Sequence, residues 1–182
     1  VDAFFDGTWG LRRMVLHYAA LAAEAGGVDS FLIASELPGV TTVRSGASTY
    51  PAVAQLVALA AEAKALLPDA AVSYAADWTE WAGHRPADGS GDVHFHLDPL
   101  WASADVAFVG IDNYAPLADW RDGTAHLDYA LSASGRGDDT AYLRANVEGG
   151  EGFAWYYADD ADRAGQIRTP IADTAYGKAW VF

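Results

Sequence analysis

The sequence predicts an α/β fold with parallel strands, and three observations carry that expectation. Segments with helical periodicity alternate with short apolar segments, the short segments are rich in β-branched and aromatic residues, and each of them ends on an acid, Glu36, Asp77 or Asp112. A crossover through a helix is the normal way to join parallel strands, so the alternation suits such a sheet.

Taken in order, Leu11, Met14, Val15, Tyr18, Ala22 and Ala25 recur at the spacing of one helical face between Gly10 and Ala25, and Gly26 and Gly27 end the run. Val28 to Ser35 is then a nearly continuous apolar segment, the pattern of a strand buried on both faces. A polar loop, TTVRSGAST, leads into PAVAQLVALAAEAKALL. There Pro51 suits a first helical turn, Val53, Leu56, Val57, Ala60 and Leu67 form an apolar face, and Pro68 and Asp69 stop the helix. AAVSYAAD, Ala70 to Asp77, is the second predicted strand. A polar passage follows from Gly83 to Gly91, then a short helical or irregular piece around Pro99 to Ala104, and DVAFVGID, Asp105 to Asp112, is the third strand. Beyond it the alternation degrades. Residues 113–139 read as a long loop with one helical piece, 140–167 hold a helical segment and an aromatic, acidic one, and KAWVF at the end reads as the start of another strand.

With 182 residues, 52% of them hydrophobic and 20% charged, the chain can bury one substantial core, and a single domain over 1–182 is expected. Twenty-five acidic residues against 11 basic give a formal charge of -14, which repels phosphate backbones and anionic lipid, so no nucleic-acid partner is expected. There is no cysteine, hence no disulfide, thiolate metal site or cysteine nucleophile. No apolar run approaches the roughly 20 residues of a membrane span, and the opening VDAFFDG lacks the basic and apolar regions of a signal peptide. The chain reads as cut from something longer.

In a (β/α)8 barrel the carboxyl ends of all strands meet at one mouth, where Glu36, Asp77 and Asp112 would become neighbours. A doubly wound open sheet produces the same alternation, and an Asp after a strand is also an ordinary turn former or helix cap. No GxGxxG follows a strand and no GxxxxGK[ST] occurs, so the usual nucleotide-binding signatures are missing.

Paired carboxylates are the minimal equipment for glycoside hydrolysis. Glu36 is the candidate acid/base, because a carboxyl beside an apolar strand is readily tuned toward working pH; the plain alternative is an acid marking where the strand surfaces. Asp77, Asp112 and Asn113 are candidate ligands for sugar hydroxyls. Glu80, in DWTEW, is a further candidate, for which a solvated loop acid is an equally good reading. Tyr74, Trp78, Trp81, Trp101, Tyr114 and Trp120 thicken around the strand ends. Of these, Tyr74, Trp78 and Tyr114 are the candidates for lining a sugar site, since sugars stack an apolar face on aromatic rings while most aromatics are simply core. His94 and His96 share a face if extended, with Asp98 following, but a two-histidine, one-carboxylate metal site needs a convergence that a loop does not guarantee. No metal or cofactor is expected. GxSxG is absent, and Glu148 and Glu151 read as solvated loop acids, with Tyr156 and Tyr157 as a platform or packing.

Several longer blocks add a resemblance. FFDGTWGLRRMVLHYAALAAEAGGVDSFLIASEL, VSYAADWTEW, FVGIDNYAPLADWRDG, and the run from YLRAN through GGEGFAWYYADDADRAGQIRTPIAD to YGKAWVF resemble the TIM-barrel-like domain of gene transfer agent tail proteins, which are phage-tail-type hub or host-specificity proteins of alphaproteobacteria. That family is similar to clan A glycoside hydrolases, whose acid/base glutamate ends the fourth barrel strand and whose nucleophile glutamate ends the seventh. The likeness makes FLIASE the fourth strand, VSYAAD the fifth and FVGIDNY the sixth, and gives Glu36 the acid/base role. The family's second glutamate belongs to a block of the type FTELG, which does not occur here. A barrel takes about 250 residues, so the resemblance implies an incomplete, middle portion of a (β/α)8 TIM-barrel-like fold, inactive as a glycosidase by itself. It further implies a bacterial protein made in the cytoplasm and assembled into a phage-like tail particle. The expected partners are a glycan substrate or cell-surface receptor and other tail proteins.

Overall fold

The computed structural model describes residues 1–114 and 116–171, which group into two compact units, Val1–Asn113 and Tyr114–Phe182. The segment KAWVF, expected as a strand start, lies outside the described residues.

The first unit carries the predicted alternation. Helices α1 (Asp2–Asp6) and α2 (Leu11–Glu24) precede strand β1 (Ser30–Ser35); α3 (Pro38–Thr41) and α4 (Pro51–Leu66) lead to β2 (Ala71–Asp77); and α5 (Asp98–Trp101) leads to β3 (Gly110–Asp112). The strands form one parallel sheet in the order β1-β2-β3, as short crossovers between sequential neighbours dictate. Among the described residues this sheet is open, with three strands and no barrel closure.

Local chemistry sets the boundaries. Helix α2 ends because Gly26 and Gly27 take φ of 101° and 91°, which lets their N–H groups bond back to the Ala23 and Ala22 carbonyls at 3.0 and 2.9 Å, a Schellman closure open to glycine. Pro51 occupies the first turn of α4, where its missing N–H has no partner to lose. Arg12 ties three helices together. It donates to Asp6 of α1 at 2.7 Å and to Gln55 of α4 at 2.5 Å, and pairs with Glu62.

The core lies between α4 and the sheet. Val53, Leu56, Leu59, Ala60 and Ala63 of α4 meet Ile33, Val72, Tyr74 and Ala76 of the strands, with Phe5, Val15 and Leu100 closing the edges. Each large side chain fully withdrawn from water there contributes about 1.5–3 kcal/mol. Helix α4 is apolar nearly all round because it is buried on several sides, and Val57, predicted for its core face, is only partly covered.

Three expectations shift. On the predicted face of α2, Val15 is buried and Leu11 and Ala22 are partly covered, but Met14 and Tyr18 are exposed, and Ala19, outside that face, is buried. Its apolar stripe is wider than the surface α1, α4 and β1 offer it. Strand β1 is the edge of the sheet, so only Ile33 is fully buried and Leu32 is 48% exposed, whereas the central strand β2 shows the two-sided burial expected of both. The third strand shrinks to Gly110–Asp112. Upstream, Ala107 donates its N–H to the Val72 carbonyl and the Phe108 carbonyl accepts from Ser73 Oγ, contacts that stand in for ladder pairs.

The second unit is built differently. A 3-10 turn (Leu127–Leu131), helix α6 (Thr140–Ala145), strand β4 (Trp155–Tyr156), helix α7 (Asp160–Gly165) and strand β5 (Thr169–Pro170) are joined by loops, and β4 pairs with β5 antiparallel. Asp139 and Asp159 cap α6 and α7, each accepting two backbone N–H bonds through its side chain. Hydrogen bonds from the Ser134 side chain and N–H, followed by the cap bonds, hold the Asp139 carboxyl low, at about 2.

Candidate functional site

The carboxyl ends of the three strands gather the acids foreseen in the sequence. Asp77 and Asp112 are paired in register across β2 and β3, and the Ser35 hydroxyl at the end of β1 donates to Asp112 Oδ2 at 2.8 Å. Ser35, Asp77 and Asp112 therefore share one edge, and Glu36 is the next residue along.

Glu36 sits in an unusual backbone. Its φ is +52°, in the left-handed region that residues with a Cβ seldom occupy, and its N–H donates to the Ala75 carbonyl at 2.9 Å. The pairing of β1 with β2 slips by one residue between Leu32 and Ser35, so the strand end is bulged just before the glutamate. Bulges and left-handed residues re-aim side chains beside functional sites. The Glu36 side chain is half-buried, and its Oε1 is closed off from solvent with no hydrogen-bond partner among the described residues.

Behind Glu36 lies a carboxylate that the sequence undervalues. Glu80, for which a solvated loop acid was an equal reading, is 2% exposed. Its Oε2 accepts from the Tyr74 hydroxyl at 2.8 Å and from the Asp77 N–H at 3.2 Å, and its Oε1 is hydrogen-bonded to the Thr41 hydroxyl. Burial pushes the Glu80 carboxyl above the usual range despite these donors, and burial likewise raises the Tyr74 phenol far above its ordinary value. The signal available in sequence was the spacing in DWTEW. A turn at Asp77, closed by the Glu80 N–H bonding the Asp77 carbonyl at 2.8 Å, folds the glutamate back over the strand end.

The remaining candidates divide. Tyr74 is fully buried, with its ring 6.0 Å from that of Trp101 and its hydroxyl held between Glu80 and the Leu37 N–H, so it acts behind the strand ends and offers no face to a sugar. Asp77 spends Oδ1 on the Thr79 N–H, at 2.8 Å, and on the Thr79 hydroxyl, a turn-forming role that the sequence left open. Trp78 is half-buried, Asn113 is exposed, and Tyr114, the first residue of the second unit, is 60% exposed. Trp81 packs partly against the core. Trp120 belongs to the second unit, where it meets His126, Tyr129 and Tyr142.

His94 and His96 converge on Tyr50 rather than on Asp98, which is exposed at the start of α5. The third member of their group is His84, bridged to His94 through both backbone N–H groups and joined to the Tyr50 hydroxyl at 3.0 Å through Nδ1. Burial lowers the titration of His84 and His96, so both favour the neutral form. Among the described residues no set of three histidines or acids is placed to hold a metal ion.

The second unit has its own polar centre. Asp128, 2% exposed, pairs with Arg168 and accepts from the Tyr142 hydroxyl at 2.5 Å, while Asp119 accepts from Tyr157 at 2.5 Å, Gln166 at 2.7 Å and Arg168 at 3.1 Å. Burial and the bond to Asp128 raise the Tyr142 phenol to about 12. Arg168 also lies over the Trp155 ring, 4.0 Å from its centroid. Glu151, expected to be solvated, accepts a two-pronged contact from Arg163 at 2.8 and 3.3 Å. The cavity beside Asp119, Asp128 and Arg168 holds about 50 Å³, room for a few waters and too little for a sugar ring.

The family model of the GTA TIM-barrel-like domain matches residues 9–182, nearly the whole chain. The chain belongs to that family. A search of curated proteins finds no match. For a GTA TIM-barrel-like domain the three parallel strands are compatible with part of a barrel, and the edge bearing Glu36, Asp77 and Asp112 is the carboxyl end of those strands, the end that carries active sites in (β/α)8 enzymes. No helix among the described residues is long and apolar enough to cross a membrane.

Proposed function

We propose that this GTA TIM-barrel-like domain is a glycoside-hydrolase-type module of a gene transfer agent or phage-like tail particle, made in a bacterial cytoplasm and acting on peptidoglycan or a cell-surface glycan during entry. The observation that carries the reading is Glu36: a glutamate held in a left-handed backbone, at the carboxyl edge of a parallel sheet, with one oxygen closed off and unpartnered. Residues held in sparsely populated backbone regions cluster at active sites and ligand clamps, which supports the reading. Glu36 is the acid/base in this reading, Asp112, Asn113 and Asp77 bond sugar hydroxyls, and Trp78 supplies stacking surface. No cofactor is required for such chemistry.

One observation favours a second reading, a non-catalytic module that binds a glycan or receptor on the tail. Glycoside hydrolysis takes two carboxylates, and Glu80, the other glutamate near the strand ends, is buried and committed to three hydrogen-bond partners. The test is hydrolysis of purified peptidoglycan and bacterial surface glycans by the full-length protein that carries this domain, wild type against Glu36→Gln, which keeps size and hydrogen bonding but cannot deliver a proton. Hydrolysis abolished by the substitution supports the enzyme. No hydrolysis by either form, with glycan binding intact in both, supports the module.

A further inference from the structure

We propose that Glu80 is a positioning residue: through Tyr74 and Thr41 it clamps the two peptide groups of Leu37, and so fixes the backbone that aims Glu36. The assignment rests on the reading of Glu36 as the working carboxylate.

The connections run in two arms. In one, the Leu37 N–H donates to the Tyr74 hydroxyl at 2.8 Å, and that hydroxyl donates to Glu80 Oε2 at 2.8 Å. In the other, the Thr41 hydroxyl lies 3.1 Å from the Leu37 carbonyl and is also bonded to Glu80 Oε1. Both arms end on one buried carboxyl, and the residue they grip directly follows Glu36. The third donor to Glu80, the Asp77 N–H, anchors the clamp to the end of β2, whose neighbouring Ala75 carbonyl holds the Glu36 N–H. The left-handed turn at Glu36 is thereby fixed on both sides.

The clamp is satisfied with Glu80 in either protonation form. The Leu37 carbonyl already accepts from the Val40 and Thr41 N–H groups at 2.8 and 2.9 Å, so the one hydrogen of the Thr41 hydroxyl is free for Glu80 Oε1 when the carboxyl is ionised. When Oε1 carries the proton it donates to Thr41 Oγ1, and Thr41 turns its hydrogen to the Leu37 carbonyl. In both forms Oε2 accepts from Tyr74 and from the Asp77 N–H, as buried networks require. Glutamine is isosteric here: its NH2 would donate to Thr41 and its oxygen would accept from Tyr74. That likeness separates a positioning residue from a second catalytic carboxylate.

The experiment compares wild type, Tyr74→Phe, Glu80→Leu and Glu80→Gln in the full chain. It measures hydrogen exchange at the Leu37 amide at single-residue resolution, with amides of β2 as the control for folding. Tyr74→Phe keeps the buried ring and removes only the hydroxyl, so it stays informative if Glu80→Leu fails to fold. Expected is an acceleration of at least tenfold at Leu37 in Tyr74→Phe and Glu80→Leu, with Glu80→Gln recovering the protection to within about threefold of wild type. An unchanged Leu37 amide in Tyr74→Phe overturns the clamp, and acceleration by Glu80→Gln as large as by Glu80→Leu overturns the hydrogen-bonding role given to Glu80. Where wild type hydrolyses peptidoglycan, Tyr74→Phe is expected to lower kcat with KM within about twofold, and Glu80→Gln to recover most of the kcat that Glu80→Leu loses. Unaltered kcat in Tyr74→Phe would sink the link to Glu36. Absence of hydrolysis in wild type defeats the glycosidase reading alone, because the exchange measurement still decides the clamp.

Discussion

Replacing Glu36 with glycine should make this domain more stable while removing its function. At φ +52° a side-chain-bearing residue loses about 1–2 kcal/mol relative to its preferred backbone, and glycine does not. Against that relief stands the greater freedom of glycine in the unfolded chain, about 0.5–1 kcal/mol. The substitution also deletes Oε1, a closed-off acceptor without a donor, whose desolvation costs about 1–3 kcal/mol, at the lower end here because Glu36 is only half-buried. The net is a gain of about 1–2 kcal/mol. Glu36→Ala keeps the backbone strain and gains only from deleting Oε1, so it should gain at most about 1 kcal/mol. Equilibrium urea unfolding of the full chain reads both. With a slope of about 1–3 kcal/mol per molar urea, the glycine variant should raise the midpoint of the transition containing this domain by about 1 M, and the alanine variant by clearly less. A glycine variant that is less stable than wild type, or no more stable than the alanine variant, would refute the claim that the fold holds Glu36 under strain.

Further outcomes follow from other features of the molecule. Gly110→Ala should destabilise by about 2–3 kcal/mol, seen as a lowered urea midpoint, because its Cβ would sit 2.4 Å from the Tyr74 carbonyl oxygen of the central strand. The histidines around Tyr50 should make stability fall on acidification. His84 and His96 titrate lower when folded than when unfolded, so the unfolded chain takes up protons first, and stability is complete above about pH 6.5 and declines as pH drops toward the folded values. Thermal melts at pH 7 and pH 5 should show that decline in wild type and a smaller one in His84→Gln/His96→Leu. Glu80 acts with opposite sign, its raised folded value giving stability that is present below about 4.5 and lost as pH rises through that folded value. In the second unit, Arg168→Met leaves Asp128 buried without its cation, so residues 114–171 should become the preferred site of limited proteolysis, with a loss of about 3–5 kcal/mol.

Much of the first unit was legible because its signals are local. Gly26 and Gly27 announce the end of α2, Pro51 the start of α4, and the apolar runs ending at Ser35 and Asp77 announce their strands. What failed was the side each element shows to its neighbours. Met14 and Tyr18 lie on the apolar stripe of α2 yet face solvent, and Leu32 is exposed because β1 is an edge, facts that depend on what packs alongside. The site divides the same way. Glu36 stands out in sequence as a carboxylate closing an apolar strand, whereas Glu80 looks like a loop acid until the turn at Asp77 folds it beneath Tyr74 and Thr41.

By itself, then, the sequence determined the family, the alternation of helices with parallel strands and the acids at the strand ends, because periodicity, capping residues and long characteristic blocks are written in neighbouring positions. Only the tertiary structure decided that Glu36 takes a left-handed backbone, that Tyr74 works from behind it, and that Glu80 is buried. Those properties come from desolvation and from hydrogen bonds between residues as far apart in sequence as Leu37 and Tyr74, or Thr41 and Glu80, which no local pattern encodes.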